Sequence, residues 1–181
     1  MRPYSIIPDT KYYFCTDTIV GWRYVFTSPE FFEAIIESFK YCRQEKGLRI
    51  HGYVIMPNHV HSIVSSGESN LSEILRDYKR YTSRRISSLL HDAGNRKLAQ
   101  YFSIAADFAR KGNEYKVWQS GSHAEAIVSD KFFCQKLEYI HQNPVRKGFV
   151  ARPEDWLYSS ARNYILGDNS IIAIDGIAGM K

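Results

Sequence analysis

Two histidines one residue apart are the side chains of this sequence best placed for chemistry: His59 and His61, in Met56-Pro57-Asn58-His59-Val60-His61-Ser62-Ile63-Val64. On a strand, residues two apart point to the same face, so the imidazoles would stand side by side, about 6–7 Å apart at the backbone. That spacing lets both meet one metal ion. The competing reading is a pair of ordinary strand histidines satisfied by hydrogen bonds. Val60 and Ile63 are expected on the opposite, packed side.

A second set lies in Lys136-Leu137-Glu138-Tyr139-Ile140-His141-Gln142-Asn143-Pro144-Val145. If this segment is helical, Tyr139 and Asn143 stand four apart on one face, where a phenol and a carboxamide oxygen could meet the same ion or phosphate. Against this, the chain has 13 tyrosines, and an asparagine before a proline is an ordinary helix ending. A third feature is cationic. Between Asn70 and Leu90, Leu71, Leu75, Tyr78, Ile86 and Leu89 recur at helical spacing, and Arg76, Lys79, Arg80 and Arg84 fall on the other side. Such a stripe, bordered by Tyr78, Tyr81 and Thr82, could track a phosphate backbone or simply be a solvated face.

Several elements must position these groups. Residues 11–20 are aromatic and β-branched and read as a first strand. Ser28-Pro29 opens a helix that Gly47 can end in a left-handed conformation, with Phe31, Ile35, Phe39 and Cys42 as its core stripe. Residues 49–56 and 59–65 read as strands joined at Pro57-Asn58, a tight antiparallel hairpin. Asn70, with Glu73 three residues on, starts the basic helix in a capping-box arrangement. Residues 91–115 predict a variable connection with a short helix around Ala105–Arg110. Residues 123–129 read as a strand and 130–143 as a helix ending where Pro144 disfavours helical geometry at Asn143. The order of strands and helices predicts an α+β fold of the split βαβ kind, a central antiparallel sheet with helices on one face.

With 181 residues, 44% hydrophobic and 24% charged, the chain is expected to form one domain over residues 1–165 with a loosely held or appended tail over 166–181. Cys15, Cys42 and Cys134 are far apart and leave one over in any disulfide scheme, which fits a reducing cytoplasm. No signal-like start or membrane-spanning run is expected. The formal charge of +5 favours a polyanionic partner. The scattered cysteines do not supply a structural zinc site.

These segments together resemble the single-tyrosine transposases of the HUH endonuclease superfamily, in particular the REP-associated tyrosine transposases of bacteria. The resemblance spans roughly residues 11–164. It is carried by Val54-Ile55-Met56-Pro57-Asn58-His59-Val60-His61, by Val117-Trp118-Gln119 with Glu125-Ala126-Ile127, by Tyr139 through Gly148, and by Asp155-Trp156-Leu157-Tyr158-Ser159-Ser160-Ala161. It implies a ferredoxin-like or RRM-like sheet with the histidines on a central strand. It also implies Tyr139 as nucleophile, His59 and His61 as ligands of a divalent metal, Mg²⁺ or Mn²⁺, and Asn143, or else Gln142, as a third ligand. The implied activity is cleavage and rejoining of single-stranded or hairpin DNA through a 5′-phosphotyrosine, with Arg76, Lys79, Arg80, Arg84, Arg146 and Lys147 on phosphates. A homodimer, in which Tyr139 serves the partner's histidines, is compatible with it. The first strand departs from the family pattern, since Tyr12-Tyr13-Phe14-Cys15-Thr16 lacks the His and Arg of many members. A metal-dependent hydrolase that does without Tyr139, and a non-catalytic hairpin-DNA or RNA-binding protein, stay open as alternatives.

Overall fold

Aromatic and β-branched residues suit a pleated, half-buried surface, and the first such run forms β1 (Tyr12–Thr18). The computed structural model describes residues 12–67, 70–108, 115–121 and 123–176. Helix α1 (Pro29–Lys46) starts with Pro29 in its first turn and stops at Gly47, whose φ of 71° returns its N–H to the Cys42 carbonyl. Ser28 occupies the cap position without a capping bond from its hydroxyl. Strands β2 (Leu48–Met56) and β3 (His59–Ser66) form the hairpin expected around Pro57-Asn58, with a register irregularity between Ile50 and Gly52. Helix α2 (Leu71–Asp92) is capped by Asn70, whose side chain accepts the Ser72 N–H. After helix α3 (Arg96–Phe108) come β4 (His123–Ile127), α4 (Asp130–Arg146) and the short α5 (Ala161–Leu166).

The four strands lie in the order β2-β3-β1-β4, each pair antiparallel, which is the ferredoxin-like order with β3 and β1 in the centre. One face packs Tyr13, Cys15, Tyr53, Ile55, Val60 and Val64 against side chains of α1 and α2 such as Ile35, Phe39, Leu75 and Tyr78. The other packs Phe14, Val54, Met56 and Ile63 against Phe133 and Ile140 of α4. Helices therefore cover both faces, not the single face the element order suggested, because α4 carries its own apolar stripe to the second side. Ile63 is corrected with it. Being two residues from His61, it alternates onto the histidine face, whereas Val60 lies opposite as expected.

Two further differences are local. Residues 96–108 form a full helix where a variable connection was expected; Ala99, Phe102 and Ala106, spaced three and four apart, bury its inner side. Residues 109 and 110 of the expected short helix lie outside the described residues. Helix α4 continues through Pro144 to Arg146. Proline removes one helical donor and crowds the residue before it, but Ile140, Asn143 and Pro144 are buried together, and that packing holds the last turn helical.

The edge strand β2 is closed by the segment around residues 156–160. Ile55 N–H donates to Tyr158 O, Ser160 N–H donates to Tyr53 O, and the Trp156 indole N–H donates to Ile55 O. Farther along the edge, Asp175 accepts from Ile50 N–H at 2.8 Å and pairs with Arg43, while Ile172 joins the core. An edge so covered presents fewer unpaired backbone groups for another chain to capture. Among the described residues no helix is long and apolar enough to cross a membrane.

Candidate active site

On central strand β3, His61 lies across from Thr16 of β1, and the Thr16 hydroxyl is 2.9 Å from His61 Nδ1. The preceding turn residue Asn58 accepts from His59 Nδ1 at 2.7 Å. Asn58 Oδ1 can only accept, so His59 carries its proton on Nδ1 and leaves Nε2 as a free lone pair. For His61 the ligand-competent tautomer is the one whose Nδ1–H donates to Thr16. Such contacts fix ring orientation in metal-binding histidines. The two rings stand 4.7 Å apart, centroid to centroid, at 70°, and both side chains are buried.

Burial disfavours the charged form of both rings. It holds the pKa of His59 down to about 4, with Lys147 adding to the effect, and that of His61 down to about 3, with His59 and Lys136 adding. At neutral pH both are therefore neutral imidazoles, the form that binds metals.

Helix α4 starts at Ser129, whose hydroxyl accepts the Phe132 N–H, and lays Tyr139 against the histidines. Its ring is 5.2 Å from that of His61 and 6.0 Å from Phe14, which itself stacks on His61 at 5.3 Å. Tyr139 as a residue is 38% exposed, which leaves it open to an incoming strand. Asn143, one turn on, is buried, and its Oδ1 has no hydrogen-bond partner. A buried polar atom left unpaired costs about 1–3 kcal/mol, and a cation is a partner that would satisfy it.

Among the described residues, no three His, Cys, Asp or Glu side chains cluster as metal ligands. Were the histidines to hold a metal, the orphaned Asn143 oxygen, on the helical face shared with Tyr139, would be a chemically suitable third donor. Gln142 is rotated about 100° away around the helix and is only partly buried. These groups all come from one chain.

The register of α4 against the sheet is set by a buried link. His141 Nε2 lies 2.9 Å from Ser160 Oγ, and that same hydroxyl oxygen accepts from Tyr53 N–H at 2.9 Å. His141 thus joins α4 to the edge strand, so Tyr139, two residues earlier, is held at a fixed height over β3.

The cations divide into two groups. Arg146 lies 5.7 Å from the Tyr139 ring centroid, and Lys147 is close enough to act on His59. Both border the site. Arg76, Arg80 and Arg84 are exposed, but α2 packs on the other face of the sheet. Lys79 is corrected outright. It is buried, and its ammonium pairs with Asp17 of β1 at 2.7 Å, so it does not belong to an exposed stripe.

Sequence reasoning also missed Lys136, which lies 4.4 Å over the Phe14 ring and pairs with Glu125. The spacing of Lys136, Tyr139, Asn143 and Lys147, three then four apart, was the available signal.

Four buried histidines predict an acid limit to stability. His51, His59, His61 and His141 all have pKa values lowered chiefly by burial, the last to about 4. In the unfolded chain they titrate near 6.5, so between that value and their folded values the unfolded state binds more protons. Their contribution is complete above pH 6.5 and is lost as the pH falls through the folded values. In EDTA, the thermal midpoint should fall by several degrees from pH 7 to pH 4.5. A flat profile would mean that the histidines protonate in place.

Comparison with known proteins adds relatives to this geometry. The chain matches the family model of IS200-like transposases over residues 19–142. An uncharacterized protein of Haemophilus influenzae is 32% identical over 107 residues, 54% of this chain and 55% of the relative. A REP-associated tyrosine transposase of Escherichia coli is 22% identical over 120 residues, 65% of this chain and 57% of the relative. The chain spans about half the length of the curated relatives it matches. A solved structure of a REP-associated tyrosine transposase bound to a REP hairpin has a TM-score of 0.60 at 21% identity, covering 99% of this chain and 95% of that one. At that identity the likeness is one of fold.

Proposed function

The chain belongs to the IS200-like transposase family, and from that premise we propose that it cuts and rejoins single-stranded or hairpin DNA with Tyr139 as nucleophile. The observation that carries this reading is the approach of Tyr139 to the His59 and His61 pair, with the orphaned Asn143 oxygen one turn beyond.

In the first step Tyr139 Oη attacks the phosphorus and gives up its proton. The P–O3′ bond breaks, and the departing 3′ oxygen takes up a proton. The product is a 5′-phosphotyrosine and a free 3′-hydroxyl. A second 3′-hydroxyl then attacks the same phosphorus, transfers its proton, and releases Tyr139 as phenol. One phosphoester replaces another at each step, so no nucleotide cofactor is needed.

A neutral phenol is a weak nucleophile unless its developing charge is stabilised. His59, His61 and Asn143 would hold a divalent ion, Mn²⁺ or Mg²⁺, which when bound supplies Lewis-acid polarisation of a non-bridging phosphate oxygen. Two imidazoles favour Mn²⁺, because Mg²⁺ prefers oxygen ligands. On this reading helix α4 would present the Tyr139 oxygen to that phosphate, and Arg146 and Lys147 would offer positive charge to the neighbouring backbone. Arg76, Arg80 and Arg84 would touch only DNA long enough to reach the far face of the sheet.

The hairpin bound to the structural neighbour makes a hairpin with single-stranded flanks the first substrate to try. Incubation with labelled hairpin and Mn²⁺ should give a covalent protein–DNA band on a denaturing gel, absent in EDTA and mapping to the Tyr139 peptide. Cleavage without such a band would favour a hydrolase.

A further inference from the structure

Trp22 is 58% exposed, yet its ring lies 6.1 Å from that of buried His59. Its backbone is left-handed, with φ of 56°, alone among the described non-glycine residues. For a bulky aromatic this is a genuine outlier and carries a backbone strain cost. Exposing an indole forfeits burial energy as well. Both costs fall on one residue at the rim of the candidate active site.

The surroundings hold this conformation firmly. Trp22 N–H donates to Ile19 O at 2.9 Å. The Asn58 carboxamide donates to Trp22 O at 3.3 Å and accepts from His59 with its oxygen, so one side chain ties the Trp22 backbone to a candidate metal ligand. Gly21 also has positive φ, and a Cβ there would lie 2.1 Å from the Tyr101 hydroxyl of α3. On the other flank, the Arg23 guanidinium sits 4.7 Å over the Tyr101 ring. The indole is thus displayed from a pinned backbone with its surface open.

We propose that Trp22 is a base-stacking platform, taking on its indole face an unpaired nucleobase next to the phosphate held at His59, His61 and Tyr139. This rests on the reading of the protein as a single-strand DNA transesterase. Stacking on an aromatic accepts any base but needs a free base face, which an unpaired base can offer and one inside a duplex cannot. The platform would therefore select the single-stranded flank of a hairpin over its stem. It would also limit the motion of the scissile phosphate before the Tyr139 oxygen, a positional contribution to rate.

The test uses the full chain with (dT)20 as a generic single strand. In a Tyr139→Phe background, intrinsic tryptophan fluorescence should be quenched by (dT)20, and the quench should vanish in Trp22→Phe. Affinity should fall roughly 5- to 150-fold in Trp22→Ala, the range for loss of one stacked base, and largely return in Trp22→Phe, with thermal stability held in both. An abasic nucleotide beside the phosphate cut by the wild type should weaken the wild type to the same extent and leave Trp22→Ala unaffected. If the wild type forms its covalent adduct but Trp22→Ala binds as tightly, the platform is overturned and the transesterase reading stands. If the wild type neither binds (dT)20 nor forms an adduct on hairpin DNA, both fall.

Discussion

Tyr139→Phe should lose covalent capture of DNA by roughly 10³-fold or more, since removal of a nucleophile has effects of this order or greater. The substitution deletes one oxygen and keeps the ring. The contacts with His61 and Phe14 remain, and because the phenol is already partly exposed, stability should stay within about 0.5 kcal/mol. Affinity for hairpin DNA should hold as well, since Arg146 and Lys147 are untouched. The informative measurement pairs a denaturing-gel adduct assay with a binding assay on the same preparation. Undiminished cleavage would remove Tyr139 from the mechanism and return the histidine pair to a water-activating role.

The second large effect is structural. Asp17→Ala should destabilise the protein by about 3–5 kcal/mol, because the Lys79 ammonium it faces at 2.7 Å is almost wholly buried and a buried charge deprived of its partner is costly. Replacing both partners by apolar residues of similar size, Asp17→Leu with Lys79→Met, should recover most of the loss. Urea unfolding of the two variants reads both outcomes. A loss below about 1 kcal/mol for Asp17→Ala would show Lys79 free to swing into solvent, which would restore it to the basic stripe of α2 and to the residues available for phosphate.

That ion pair illustrates where sequence reasoning stops. Helical periodicity placed Lys79 beside Arg76 and Arg80, and an isolated amphipathic helix would expose all three. Its burial depends on a carboxylate from β1, far away in sequence, that no local window contains. The same holds for α4. That residues 130–143 form a helix was legible locally, but which face of the sheet it would cover was a matter of tertiary packing, and so was the continuation of the helix through Pro144. Helix α3 was obscured because Gly94, Asn95 and the neighbouring charges diluted a short apolar stripe of Ala99, Phe102 and Ala106.

By itself the sequence determined the strands and most of the helices, the shared face of His59 and His61, and the shared helical face of Tyr139 and Asn143, because backbone periodicities of two and 3.6 residues assign faces locally. Only the tertiary structure decided that these two faces meet, that Thr16, Asn58 and Phe14 orient the imidazoles, that Asn143 is left with an unpaired oxygen, and that a strained Trp22 stands at the rim. Each of these depends on contacts between segments distant in the chain, and such contacts are chosen by the packing of the whole core and not by any one stretch of residues.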